Sequence, residues 1–162
     1  MLIAAVNGAA YGAGLDLACA ADFRLAADTA RFCEVYVRLG LAPGGGGAWL
    51  LPRIVGLTNA LDLILSGEPI DAQTALSIGL VSRVVPADEL PAATREFARR
   101  FALSAPRGVQ VAKRTVLRGL EMSFEAALDF IRPQIGVLRQ TEDHKEGLRA
   151  LQERRPPRFE GR

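Results

Sequence analysis

Short apolar runs separated by glycine-bearing breaks fill the first half of the chain, and a helical period takes over in the second. Leu2-Ile3-Ala4-Ala5-Val6 has the length and character of a buried strand. Glycines at positions 8, 12 and 14 follow, and Leu15-Asp16-Leu17-Ala18-Cys19-Ala20-Ala21 then reads as a buried, alanine-rich helix. Asp22-Phe23-Arg24-Leu25-Ala26-Ala27 alternates and predicts a strand; Asp28-Thr29-Ala30 is a turn and Arg31-Phe32-Cys33 a short extended piece. The alternation from Glu34 to Gly40 suits either a strand or a tight loop. Pro43 and the glycines at 44 to 47 break regular structure, and a helix is expected from Gly46 through Trp49 to about Val55. Thr58 is placed to cap a helix that closes at Gly67, and Asp71 to cap one over 72–78 that closes at Gly79. Leu80 to Val85 is a strand, ended by Pro86.

Past Pro86 the pattern is helical throughout. Asp88 precedes a helix with Leu90, Phe97 and Phe101 on its apolar face. Ser104-Ala105-Pro106 opens another, carrying Val109, Ala112, Val116 and Leu120. Ser123 opens a third, with Phe124, Ala127, Leu128, Ile131, Ile135 and Leu138 in helical spacing and Pro133 expected to kink it. Thr141 caps the last, which should run to Pro156-Pro157. The chain therefore divides into an α/β core over residues 1–86 and a helical region over 87–162. Its 162 residues, 49% of them hydrophobic, suffice for a real core.

Charge and cysteine usage narrow the function. A net charge of +2, with no basic stripe interleaved with aromatics, gives no reason to expect nucleic acid. Cys19 and Cys33 lie in apolar surroundings without metal spacing, and there is a single histidine, so no metal site is expected. Both thiols read as inert core residues in a reducing compartment. No run approaches the ~20 apolar residues of a membrane span, and the first residues lack a basic leader. A cytoplasmic protein without membrane contact is the expectation.

The candidate chemistry lies in the glycine stretch. A strand that feeds a helix through glycines leaves free N–H groups at the helix start, a site for a phosphate, a carboxylate or a developing oxyanion. Gly8-x-x-x-Gly12-x-Gly14, with Asp28 as a ribose acid, resembles the dinucleotide loop of short-chain dehydrogenases. Against that, the helix must end before Asp22, and neither Tyr11 nor Tyr36 has a lysine four residues on; Leu15 and Gly40 stand there. The glycines at 44 to 47 also precede a helix, but loop flexibility is the simpler reading of them.

A second resemblance covers nearly the whole chain. Ile3 to Gly8, with Gly14-Leu15-Asp16-Leu17-Ala18 and Asp22, is similar to the segment of the enoyl-CoA hydratase/isomerase (crotonase) family that carries half of its active site. Three further landmarks follow in order: Leu39 to Gly47 with Leu51-Pro52-Arg53-Ile54-Val55-Gly56; Leu65 to Ile70 with Ala75, Gly79, Leu80 and Val81; and Thr141-Glu142-Asp143 with Glu146, Gly147 and Glu153-Arg154-Arg155-Pro156. The resemblance implies a ββα spiral core, here partial, followed by a helical oligomerisation region. It implies a homotrimer or dimer of trimers, an acyl-CoA thioester substrate, and no cofactor beyond the coenzyme A of that substrate. Family members carry an N-terminal half before this point, so the chain is expected to be a fragment, a split protein or a misassigned start.

Residue by residue, the resemblance makes the N–H of Ala13, between Gly12 and Gly14, one donor to the thioester oxygen. It puts Asp16 at the first of two carboxylates that position water, one acting as base and one as acid. Tyr36 falls where hydratases carry glutamate, and an unperturbed phenol, with its pKa of about 10, cannot serve as a carboxylate base. Tyr36 can donate a hydrogen bond or shape the pocket. Glu34, two residues earlier, either supplies the second carboxylate or makes a surface salt bridge. Arg154 matches a basic position that helps bind CoA phosphates; the alternative is solvated tail charge among Arg155, Arg158 and Arg162. The reaction expected is hydration of a 2-enoyl-CoA through an enolate, as in fatty-acid β-oxidation. Double-bond isomerisation by one carboxylate is an alternative, and so is a non-catalytic truncated homologue. Trp49, Arg53 and His144 read as structural.

Overall fold

The computed structural model describes residues Met1–Arg162 and resolves two compact units, Met1–Glu96 and Phe97–Arg162. The first runs β1 (Ile3–Val6), β2 (Ala9–Tyr11), α1 (Ala13–Cys19), β3 (Phe23–Ala27) and β4 (Arg31–Cys33). A 3-10 helix over Val35–Leu39 follows, then α2 (Gly47–Val55), α3 (Leu57–Ser66), β5 (Ile70–Asp71), α4 (Ala72–Ser77) and β6 (Arg83–Val85). Two three-stranded sheets result, ordered β1-β3-β6 and β2-β4-β5. The first is parallel throughout; in the second β2 and β4 are parallel and β4 and β5 antiparallel.

The central strand β3 is covered on both faces, which needs small or apolar side chains, whereas β1 is not the buried strand expected: Leu2 and Ala5 are exposed and Ile3, Ala4 and Val6 half-buried. Leu25, Ala26 and Ala27 of β3 are fully buried, and Leu15, Phe32, Leu51 and Leu80 close the core around them. Arg24, the polar position in the β3 alternation, points inward. Its Nε donates to Leu80 O at 2.7 Å, and its Nη1 to Ala21 O at 2.7 Å and Ala18 O at 3.3 Å. The guanidinium thereby adds donors to carbonyls at and just past the end of α1 and ties that helix to the turn before β6.

Several local expectations change. The glycine stretch holds a strand of its own, β2, and α1 starts at Ala13, two residues earlier than Leu15. Glu34–Gly40 is neither strand nor loop: the Val35–Leu39 segment is a 3-10 helix, closed by Gly40 at φ 70°. Thr58 does not cap α3, because the chain turns into that helix two residues earlier, from Gly56 at φ 78°. Asp71 does cap α4, accepting from Thr74 N at 2.8 Å. The last strand ends at Val85, while the compact units divide at Glu96/Phe97, inside α5 (Leu90–Ala102).

The second unit continues through α6 (Pro106–Gly119), α7 (Phe124–Arg139) and α8 (Glu142–Gln152). Ser123 and Thr141 are N-caps as expected, accepting from Ala126 N at 3.3 Å and His144 N at 3.1 Å. The final helix stops at Gln152, short of Pro156, because the chain turns away through Arg154 at φ 53°. The tail is then drawn back onto α8. Asp143 accepts from Glu160 N at 2.7 Å and Gly161 N at 2.9 Å. Glu146 takes Arg155 through both carboxylate oxygens, at 2.6 and 3.0 Å, and accepts from Arg158 N at 3.0 Å.

Candidate active site

α1 carries Asp16 in its first turn, and the turn into α1 is set by Gly12. Gly12 has φ 50° and ψ −117°, a conformation that disfavours any side chain, and its N–H donates to Cys33 O at 2.8 Å. A Cβ there would lie 3.5 Å from Tyr36 Cζ, so the backbone packs directly under the phenol. Ala13 follows as the exposed first residue of the helix, where an N–H has no intrahelical acceptor. Asp16 itself is 2% exposed. Its Oδ2 accepts from Tyr36 OH at 2.7 Å and from Gly45 N–H at 3.1 Å, while its Oδ1 has no partner.

Glu34 comes from the other side, in the link between β4 and the 3-10 helix. It is fully buried, and neither of its carboxyl oxygens has a hydrogen-bond partner. The two acids converge over the backbone of Gly47. A Cβ on that residue would collide with Asp16 Oδ1 and come within 2.8 Å of Glu34 Oε1. A Cβ on Gly45 would likewise collide with Asp16 Oδ2. The glycine run before α2 is therefore required for close approach to a carboxylate, and flexibility is not its role.

Electrostatics follow from this burial. Two carboxyls facing one another out of water cannot both ionise cheaply, so the pair holds a proton. Burial, then the charge of Asp16 facing it, push Glu34 up to about 7. Tyr36 is pushed up to about 12, first by its hydrogen bond to Asp16, so its OH stays a donor at neutral pH. Burial also raises Cys19, to about 11, and Cys33 donates its thiol to Gly67 O at 3.2 Å. Neither thiol is poised to react. No three His, Cys, Asp or Glu side chains come together in a set that could hold a metal ion.

The fold thus brings Gly12, Asp16, Glu34 and Tyr36 into one place, with Ala13 one turn before Asp16. Arg154 belongs to the other unit, exposed on the tail. Sequence reasoning missed Gly45 and Gly47; four glycines at a helix start were the available signal. The structural readings of Arg53 and Trp49 resolve into a cation–π contact, the guanidinium 3.8 Å from the ring centre.

A buried carboxyl pair thus lies over a glycine-rich turn, mounted on an α/β core. The chain belongs to the enoyl-CoA hydratase/isomerase family, whose model matches residues 1–162. It is 41% identical over 160 residues to (E)-benzylidenesuccinyl-CoA hydratase of Thauera aromatica, covering 99% of this chain and 62% of that protein. It is 41% identical over 161 residues to 2,3-dehydroadipyl-CoA hydratase of Escherichia coli, covering 99% and 63%. The crystal structure of an enoyl-CoA hydratase from Bacillus anthracis superimposes with a TM-score of 0.95 at 37% identity, over 99% of this chain and 62% of that one. The chain spans about three fifths of the length of these relatives.

Proposed function

We propose that this chain carries the acid–base machinery for adding water across the double bond of a 2-enoyl-CoA thioester. The observation that carries the reading is the convergence of Asp16 Oδ1 and Glu34 Oε1, both buried and both without a partner. Anionic Asp16 takes a proton from a water molecule whose oxygen bonds to the β-carbon. Negative charge passes to the thioester oxygen, which accepts the N–H of Ala13. Glu34 then delivers its proton to the α-carbon as the enolate collapses. One proton has arrived on Asp16 and one has left Glu34, and passage between the facing carboxyls restores the starting state. No cofactor is needed beyond the coenzyme A of the substrate.

The names of the two relatives above, both hydratases of CoA-linked acids, support this class of substrate. Arg154 is assigned to the CoA phosphates by family resemblance and by its exposed charge; Arg154→Glu should raise KM for the thioester. Exposed apolar residues on the helical unit, among them Leu117, Leu120, Phe124 and Leu151, support homo-oligomerisation, as a trimer by resemblance. No helix is long and apolar enough to cross a membrane. Two free buried cysteines favour a reducing, cytoplasmic setting.

The test is loss of the enoyl-thioester absorbance of crotonyl-CoA, on this chain and on one extended upstream. Consumption by either supports hydration, and none by both removes it. A second reading rests on Tyr36. It stands where hydratases of the family carry glutamate, and its OH fills one face of Asp16. That leaves a single base, enough to shift a double bond by removing and returning one proton. A 3-enoyl-CoA converted to its 2-enoyl isomer without hydration would favour this alternative. Inactivity on both substrates would favour a non-catalytic homologue.

A further inference from the structure

Tyr36 has no acid–base part in the scheme above, yet it makes the shortest hydrogen bond to Asp16, at 2.7 Å. We propose that Tyr36 is a positioning residue: with the Gly45 amide it pins Asp16 Oδ2, so that Oδ1 alone exchanges protons with Glu34 and substrate. The proposal rests on the acid–base reading of Asp16 and Glu34 and assigns a role to the residue that departs from the hydratase pattern.

Three observations carry it. The two oxygens of Asp16 are treated differently: Oδ2 has two donors and Oδ1 has none, although the residue is 2% exposed. The phenol ring is supported from below, because the backbone of Gly12 lies against Tyr36 and Val35. Oδ1 is directed at the second acid, since it and Glu34 Oε1 border the same point over Gly47. The proton of the pair sits on Glu34, which burial and the facing charge of Asp16 push up. The groups facing that proton are few. They are Asp16 and Cys19 on α1, Cys33 at the end of β4 and Tyr36 on the 3-10 helix; α2 presents backbone alone, at Gly47.

The experiment reads the protonated carboxyl stretch by difference infrared spectroscopy on this chain from pH 4 to 9. It needs no turnover, so its result is separate from that of the crotonyl-CoA assay. Wild type should show one buried carboxyl titrating near 7, and Glu34→Gln should abolish it. Tyr36→Phe removes a donor to the anion of Asp16, so the pair should hold its proton about tenfold more tightly, moving the midpoint up by about one pH unit. In an Asp16→Asn background, Tyr36→Phe should have no such effect, which a merely structural role does not predict. Fluorotyrosine at position 36 keeps the ring and makes its OH a stronger donor, so it should move the midpoint down; it serves if Tyr36→Phe fails to fold. An unmoved midpoint in both ring variants, or an equal shift in the Asp16→Asn background, overturns the proposal.

Discussion

Each unit of the chain sets two carboxyls side by side, both buried in the α/β unit and one buried and one half-buried in the helical unit, and they are kept in opposite conditions. In the helical unit Asp143 and Glu146 find a partner for every oxygen: backbone amides of Glu160, Gly161 and Arg158, and the Arg155 guanidinium. In the α/β unit Asp16 has one oxygen satisfied and Glu34 has neither. The first pair are fasteners that tie the tail to α8. The second pair leave buried polar atoms unsatisfied, a condition that persists where a site is open to something else. Burial of an acid by itself therefore does not mark chemistry; burial without partners does.

The sharpest way to break this comparison is to make one substitution in both places. Asp16→Asn should lower the rate of crotonyl-CoA consumption by about 10²- to 10⁴-fold, the range for loss of a positioned acid or base. It should leave stability unchanged or raised, because the new amide can still accept from Tyr36 and offers its NH₂ to Glu34. Asp143→Asn should do the reverse. It sets an NH₂ against a backbone N–H that had an acceptor, at a cost of about 1–3 kcal/mol, with no effect on chemistry. Rates and urea midpoints for both variants decide the matter. If Asp143→Asn lost the activity and Asp16→Asn the stability, the two assignments would have to be exchanged.

Linkage with pH separates the pairs next, and the signs are opposite. Between its ordinary 4.5 and about 7, Glu34 holds a proton that the unfolded chain has released. Stability therefore falls as pH rises through that window, by at most about 3 kcal/mol, and is level above it. Glu34→Gln should flatten the curve. Glu146 is held down to about 2, chiefly by its hydrogen bonds with Arg155. Between that value and 4.5 the unfolded chain holds the extra proton, so stability falls as pH falls. Hydrogen exchange followed unit by unit from pH 3 to 8 should show protection lost at opposite ends of the range. Parallel curves would contradict the contrast.

A smaller effect is expected at the turn that crowds Asp16. Gly47→Ala forces a methyl against Asp16 Oδ1 and Glu34 Oε1, and overpacking of this kind costs about 1–3 kcal/mol. Gly136→Ala on α7 meets nothing within 4 Å and should be neutral or stabilising. Thermal melts of the two variants would test whether glycine at 47 is there for space.

The sequence announced the helical unit through its apolar period and its caps, because Ser123 and Thr141 act on their own next turn, as Asp71 does in the α/β unit. The strands were legible from runs of alanines and aliphatics, but their burial was only partly so: β3 is buried, whereas Leu2 and Ala5 of the first run are exposed and Ile3, Ala4 and Val6 half-buried. What was not legible depends on contacts between distant residues. Gly45 meets Asp16 across 29 positions, and Arg24 meets Leu80 across 56. No local pattern encodes either. The 3-10 helix after Glu34 was hidden because its alternation mimics a strand. The family resemblance supplied Asp16, Ala13 and Tyr36, while the choice between a buried Glu34 beside Asp16 and a surface salt bridge needed coordinates.

The smallest effect belongs to a cap, and it tests whether the tail of the helical unit depends on its acids alone. Thr141 is 8% exposed; its Oγ1 accepts from His144 N at 3.1 Å and donates to Leu138 O at 2.7 Å. Thr141→Ala removes both bonds and should cost about 1 kcal/mol. Thr141→Ser keeps the hydroxyl and should recover most of it. The loss should show as faster exchange in the first turn of α8, which carries Asp143, and then in the tail amides of Glu160 and Gly161 that Asp143 holds. The titration of Glu34 should not move. A shift there would mean that the fasteners of one unit help to set the proton in the other, and the two pairs would no longer be independent.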